Sequence, residues 1–122
     1  YFDRYGIETV CLRIGSSYPE PKNRRMLATW LSYDDLERLV VASLTAPVVG
    51  HSIVYGMSDN TTTWWSNTPA QHIGFRAEDS SEPFRAALEA REALPDPADP
   101  AARCQGGAFV AQGPYDTRGD RA

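Results

Sequence analysis

Hydroxyl and guanidinium side chains follow the first apolar segment of the chain, at Ser16, Ser17, Arg24 and Arg25. They lie in the stretch 12–35, where an apolar run meets a Gly-Ser turn and then a loop bracketed by prolines. In an open α/β sheet, ligands bind just beyond the carboxyl ends of the strands. A hydroxyl and a planar guanidinium suit a polyhydroxylated substrate that carries a carboxylate. The alternative is that the serines bond only turn backbone and that the arginines are solvated, as is common in loops.

The elements around these residues predict an α/β fold with parallel strands. Residues 8–14 are apolar and rich in β-branched side chains, which is typical of a buried parallel strand. The apolar run 26–31 favours a further short strand. Ser32 is expected to cap a helix over 33–46, and 51–56 to form a second parallel strand. This strand–loop–helix–strand order is typical of a Rossmann-type, doubly wound sheet.

Three finer expectations concern side chains in these elements. Ser32 and Asp35 have the spacing of a capping box, with an aspartate in place of the usual glutamate. Cys11, inside the first strand, is expected to be a small buried hydrophobe. One face of the helix is marked by Leu36, Leu39, Val40, Ser43 and Leu44, at helical spacing.

Composition and charge exclude several classes of function. The formal net charge is −4 and the pI is about 5.1, whereas nucleic-acid binding calls for a basic stripe. No apolar run approaches the roughly 20 residues of a membrane span. Neither the two cysteines nor the two histidines have metal-ligand spacing, so no metal site is expected. A reducing cytoplasm is the simplest compartment for such a chain.

Several long segments carry a family resemblance, in order along nearly the whole chain. They are RIGSSYPEPKNRRMLATWLSYDDL, APVVGHSIVYGMSDN, the pair Trp64-Trp65, HIGFRAEDSSEPFR and QGGAFV. Together they resemble the uronate dehydrogenases, NAD-dependent enzymes of the epimerase/dehydratase family in the extended short-chain dehydrogenase/reductase superfamily. The resemblance implies NAD as cofactor and oxidation of a hexuronate, glucuronate or galacturonate, at C1 to an aldarolactone.

The resemblance also implies roles for particular residues. Ser16 would line the uronate pocket, Arg25 would hold the sugar-acid group, and Phe109 would reach the active-site region from the tail. The resemblance implies that the family's catalytic Tyr-x-x-x-Lys pair and its glycine-rich cofactor turn lie upstream of this chain. No catalytic or cofactor-binding residue is therefore assigned, and the chain alone is expected to be inactive.

The domain organisation is predicted from the same observations. The opening YFDRYGIE reads like the last turn of a helix with Gly6 as its C-cap, which favours the C-terminal half of a longer enzyme. Residues 1–94 are expected to belong to an NAD(P)-binding Rossmann-like domain that includes the substrate-binding loops. Residues 95–122 are expected to form an extended, partly disordered tail. The partners would then be the missing N-terminal half and a small uronate, without nucleic acid or membrane.

Two other functions stay open at this point. Within the same superfamily, the chain could belong to a sugar-nucleotide epimerase or dehydratase, which would need room for a nucleotide. From a different class, it could be a non-catalytic sugar-acid binding module. The sequence also leaves open the choice between NAD and NADP, the preferred uronate and the oligomeric state, with a homo-oligomer among the options. The tryptophans Trp30, Trp64 and Trp65 are expected to serve packing rather than sugar binding.

Overall fold

The computed structural model describes residues 1–112 of the chain. Contacts divide the chain into two compact units, of which the first is Tyr1–Glu92 and the second begins at Ala93. None of the helices among the described residues is long and apolar enough to cross a membrane. The residues 113–122 of the predicted disordered tail lie outside the described part, so that prediction stays a prediction.

The first unit is built on a pair of parallel strands. Strand β1 is Thr9–Ile14 and strand β4 is His51–Gly56, and Thr9 pairs with His51 at the start of the register. Helix α3, Tyr33–Thr45, lies between them in the chain. The predicted strand–loop–helix–strand unit is therefore confirmed, and the α/β fold with parallel strands is Rossmann-like.

One face of this sheet packs on an apolar core. Leu39 of α3 and Val54 of β4 are buried there together with Ala70, Ile73 and Phe75. The last three come from the 3₁₀ helix Thr68–Ile73 and the turn that follows it. Burial of these side chains is the main force that holds α3 against the sheet.

The opposite face of the sheet is open to solvent. Cys11 is exposed, and its register partner Ile53 retains 57% of its accessible surface. The prediction that Cys11 is a buried hydrophobe is therefore wrong. A parallel strand is buried on both faces only where a second layer covers the sheet, and none of the described residues forms such a layer on this side.

The predicted strand 26–31 is mostly helical. Residues Met26–Thr29 form the single turn α2, and only Trp30–Leu31 form a strand, β3. The turn begins because the Asn23 side chain accepts a hydrogen bond from the Met26 amide at 3.0 Å. Strand β3 pairs in parallel with β2, Ser16–Ser17, and so places the candidate serines beside the segment after the loop.

Helix α3 begins as predicted, but its buried face is narrower than expected. The Ser32 hydroxyl accepts a hydrogen bond from the Asp35 amide, which confirms the cap. The capping-box expectation is wrong, because the Ser32 amide donates to Ser58 Oγ instead of to Asp35. Leu39 is fully buried, whereas Val40 and Leu44 of the predicted face are 39% and 80% exposed.

The remaining helices are short. They are α1 Phe2–Tyr5, the 3₁₀ turn Glu82–Phe84, α4 Arg85–Arg91, α5 Pro100–Arg103 and the 3₁₀ helix Gly107–Gln112. Gly6 has a φ of 67° and caps α1, as its sequence predicts. Pro83 lies in the first turn of the predicted helix 82–91, which is also confirmed. The prediction of an extended tail is wrong over Pro100–Arg103, because the Asp99 side chain caps a helical turn there.

Candidate functional site

The first predicted site residue, Ser16, lies where β1 ends. Its Oγ is 3.1 Å from Thr29 Oγ1, and the two hydroxyls share a hydrogen bond. Ser16 and Thr29 can come this close because residue 15 is glycine. A Cβ at that position would lie 2.0 Å from the Thr29 carbonyl oxygen. Gly15 thus lets the end of α2 pack directly against the turn that carries Ser16.

Its neighbour Ser17 has a different environment. The Ser17 Oγ is buried and has no hydrogen-bond partner among the described residues. A buried hydroxyl presents no donor to a ligand at the surface. The two serines therefore differ in environment, and the choice of Ser16 as the substrate-binding serine stays a prediction.

The two adjacent arginines are directed to different partners. The Arg24 amide donates to Glu92 Oε2 at 2.7 Å, and its Nη1 donates to the Glu92 carbonyl at 3.0 Å. Its Nη2 also lies 3.5 Å from Glu89 Oε1. Arg24 therefore fastens the loop to the end of α4, which is a structural use of its charge and satisfies carbonyls at a helix C-terminus.

The second arginine, Arg25, lies against an aromatic ring. Its Cζ is 4.8 Å from the centroid of Trp64, within the range of a cation–π interaction. The side chain is half-buried, and this burial lowers the pKa of the Arg25 guanidinium, which stays cationic at neutral pH. The cation–π contact therefore gives the Arg25 guanidinium a defined orientation beside Trp64.

A single helical turn links the two candidate contacts. Arg25 stands at the N-terminal end of α2 and Thr29, the partner of Ser16, at its C-terminal end. Four helical residues span about 6 Å along the axis. The residue that carries the cation and the residue that bonds Ser16 are therefore about one helical turn apart along α2.

Aromatic and polar contacts also fix the loop between Ser17 and Arg24. The indole of Trp30 is buried, and its Nε1 donates to the Tyr18 carbonyl at 2.8 Å. The same ring packs edge-on against Phe84 at 5.7 Å between centroids. Trp30 therefore serves packing, as predicted, and ties the start of the loop to the turn before α4.

A buried polar network connects the start of helix α3 to the segment around residue 79. Asp35 is fully buried, and its carboxylate accepts hydrogen bonds from the amides of Glu78 and Asp79 at 2.9 and 3.1 Å. Arg38 Nη1 donates to the same carboxylate at 2.7 Å, and this bond raises the pKa of the guanidinium. The Ser32 hydroxyl bonds Asp79 in turn. The segment around residue 79 is thus bound to the start of α3.

Asn60 extends this network to the substrate loop. Its Nδ2 donates to the Trp30 carbonyl at 2.8 Å, and its Oδ1 accepts from the Ser81 amide at 3.0 Å. The Ser81 hydroxyl donates to the Leu27 carbonyl inside α2. Asn60 begins an Asn-x-Thr glycosylation pattern, but only 5% of it is exposed, and both polar atoms of its side chain form hydrogen bonds. Asn60 therefore belongs to the hydrogen-bond network that holds α2 and β3.

Sequence reasoning missed Trp64, Asn60 and Asp35 as residues that support the site. Trp64 was expected to pack in the core or an interface, yet it is 38% exposed and faces Arg25. Asp35 was predicted as the partner of Ser32 in a capping box, not as the centre of a buried network. The contacts of Trp64 with Arg25, of Asn60 with Trp30, and of Asp35 with the amides of Glu78 and Asp79 join distant parts of the chain, so no local pattern points to them.

The third predicted site residue, Phe109, belongs to the second unit. It lies in the 3₁₀ helix Gly107–Gln112 and is 77% exposed. Its approach to the site stays a prediction.

Known proteins with a similar sequence or fold include several uronate dehydrogenases. The uronate dehydrogenase of Pseudomonas putida is 61% identical over 115 residues, which are 94% of this chain. The chain is related to the uronate dehydrogenases. The crystal structure of a glucuronic acid dehydrogenase from Chromohalobacter salexigens matches 100% of the chain with a TM-score of 0.87 and 45% identity. A mutant uronate dehydrogenase from Agrobacterium tumefaciens, complexed with NAD, matches 93% with a TM-score of 0.84 and 45% identity.

These matches cover only part of each relative. The chain spans 42% of the Pseudomonas putida uronate dehydrogenase, 44% of the Chromohalobacter salexigens chain and 43% of the Agrobacterium tumefaciens chain. No family model matches the chain. The similarity to the uronate dehydrogenases therefore concerns a segment, and the activity of a whole enzyme does not follow from it alone.

The described residues do not form a cradle for a dinucleotide. Such a cradle needs a glycine-rich turn that leads from a strand directly into the N-terminus of a helix. After β1 the chain enters the proline-bracketed loop, and after β4 it enters a polar loop and a 3₁₀ helix. The N-terminus of α3 is already occupied by the bonds among Ser32, Asp35 and Asp79. Contacts to a dinucleotide pyrophosphate would have to come from outside the described residues.

Proposed function

We propose that this chain forms the substrate-binding part of an NAD-dependent uronate dehydrogenase, which oxidises a hexuronate such as galacturonate or glucuronate at C1 to an aldarolactone. The observation that carries the proposal is the similarity to uronate dehydrogenases along nearly the whole chain. We further propose that the enzyme belongs to the extended short-chain dehydrogenase/reductase superfamily and works in the cytoplasm. The cofactor cradle and the proton acceptor would be supplied by sequence outside this chain.

In this proposal, Arg25 binds the C6 carboxylate and Ser16 bonds a sugar hydroxyl. A uronate differs from its parent hexose by that carboxylate, so selection of the acid needs a cation away from the reacting C1. The Trp64 contact and the single turn α2 support the assignment, because they fix the guanidinium relative to the serine turn. Remote binding energy of this kind orients the reacting carbon and thereby accelerates the chemical step.

The experiment is a chimaera, in which this chain replaces the matching segment of the Pseudomonas putida uronate dehydrogenase. With galacturonate or glucuronate and NAD, we expect formation of the reduced cofactor at a rate within about tenfold of the parent enzyme. The 122-residue chain alone should give no turnover above the blank. A folded chimaera that is inactive on both uronates would refute the proposal.

The same assays separate the two alternatives. A sugar-nucleotide epimerase or dehydratase would turn over a UDP-sugar and not a free uronate. A non-catalytic binding module would bind galacturonate as the isolated chain, with a heat of binding that is independent of NAD. Our proposal expects neither result.

A further inference from the structure

An aromatic ladder runs from strand β4 to Arg25. Trp64 and Trp65 have centroids 5.9 Å apart, and Trp65 stacks on Tyr55 of β4 at 5.8 Å with an interplanar angle of 18°. The guanidinium of Arg13 in β1 also lies over the Tyr55 ring, with its Cζ 5.0 Å from the centroid. We call Tyr55, Trp65 and Trp64 the aromatic ladder.

The ladder connects a regular element to a loop side chain. Tyr55 is held in the parallel register with Arg13 of β1, so its position is fixed by backbone hydrogen bonds. Trp65 is half-buried, whereas Trp64 at the end of the ladder is 38% exposed and touches Arg25. A large indole that keeps this much accessible surface adds little to the core. Its contact with the guanidinium is the feature that needs explanation.

We infer that Trp64 is a positioning residue for Arg25, and that it sets the specificity for the acid substrate by holding the guanidinium ready for the carboxylate. This inference rests on the proposed function, since it needs Arg25 to meet a uronate. A long arginine loses rotamer freedom when it binds a carboxylate. A guanidinium already stacked on an indole loses less and can still donate from its edge, because stacking uses only the face of its plane.

The test is a double-mutant cycle in the chimaera. With Arg25 present, Trp64→Leu should raise the KM for galacturonate about 3- to 10-fold with little change in kcat, which corresponds to a partly exposed cation–π contact. In the Arg25→Ala background, the same change should alter KM by less than about twofold. Trp64→Phe should recover most of the loss, because it keeps an aromatic face. Tyr33→Leu, at an exposed aromatic of α3, serves as the matched control and should leave KM unchanged.

The outcomes separate this inference from the proposed function. If Trp64→Leu costs the same factor with and without Arg25, the ladder is structural and the inference is overturned, while a loss caused by Arg25→Ala still supports the uronate clamp. If Arg25→Ala does not change the KM for galacturonate, the proposal that Arg25 binds the carboxylate is refuted, and the inference about Trp64 is refuted with it. Proton NMR of the folded chimaera then decides the contact itself. The Arg25 side-chain resonances should carry an upfield ring-current shift that Trp64→Leu abolishes, and its absence would overturn the inference.

Discussion

Replacement of Asp35 by asparagine should destabilise the protein far more than the same change at its neighbour Asp34. The Asp35 carboxylate is fully buried and accepts from two backbone amides and from Arg38. An asparagine oxygen can keep one amide, but its NH₂ group faces the other donors. A hydrogen bond to a charged group contributes about 1.5–3 kcal/mol. The Arg38 bond is worth less, because 34% of that side chain is exposed and rehydrates. The expected loss is therefore about 2–4 kcal/mol.

Urea denaturation of the chimaera, followed by tryptophan fluorescence, measures this loss. With a slope of about 2 kcal/mol per molar urea, the Asp35→Asn midpoint should fall by about 1–2 M. Asp34 is exposed in the same helical turn, so Asp34→Asn should cost only its interaction with the helix dipole, about 0.3–1 kcal/mol. Equal midpoints for the two variants would refute the network as a source of stability.

Two further predictions follow from packing and titration. Gly15→Ala should unfold or inactivate the chimaera, because its Cβ would lie 2.0 Å from the Thr29 carbonyl and 2.4 Å from Met57 Sδ; a melting temperature within about 2 °C of the parent would contradict this. Hydrogen bonds from Arg85 and Thr61 lower the pKa of Glu82 from its ordinary 4.5, and the Arg85 bond has the larger effect. A carboxyl group whose pKa is lower in the folded state stabilises the protein at pH values above its ordinary pKa. This stabilisation is lost as the pH falls through the lowered pKa. Acid denaturation of Glu82→Gln should therefore show less loss below pH 4.5 than the parent, and identical profiles would count against the ion pair.

The elements with strong local signals could be predicted from the sequence. The β-branched runs of β1 and β4 and the Ser32 cap of α3 each depend on a few neighbouring residues, so their patterns are sufficient. The run 26–31 could not be resolved, because so short an apolar run fits a strand or a helical turn equally well. The Asn23 side chain favours the helical turn, because it accepts a hydrogen bond from the amide of Met26, the first residue of α2.

The support of the site could not be predicted, because it depends on contacts between distant residues. Asp35 meets the amides of Glu78 and Asp79 across 43 and 44 positions of the chain. The approach of Trp64 to Arg25 likewise depends on how the loops after β1 and β4 pack. The sequence indicated which residue types could bind a sugar acid, but the partners that orient them appear only once the chain is folded.

The specificity constant for galacturonate in arginine variants of the chimaera tests the central claim most directly. A charge-assisted pair is worth about 1.5–3 kcal/mol, so Arg25→Ala should lower kcat/KM by about one to two decades. Arg25→Lys should recover only part of this loss, because an ammonium cannot reproduce the planar fork. Arg24→Ala, which only frees the loop from α4, should cost much less. Parent-like kinetics in the Arg25 variants, or a larger loss from Arg24→Ala, would contradict the account.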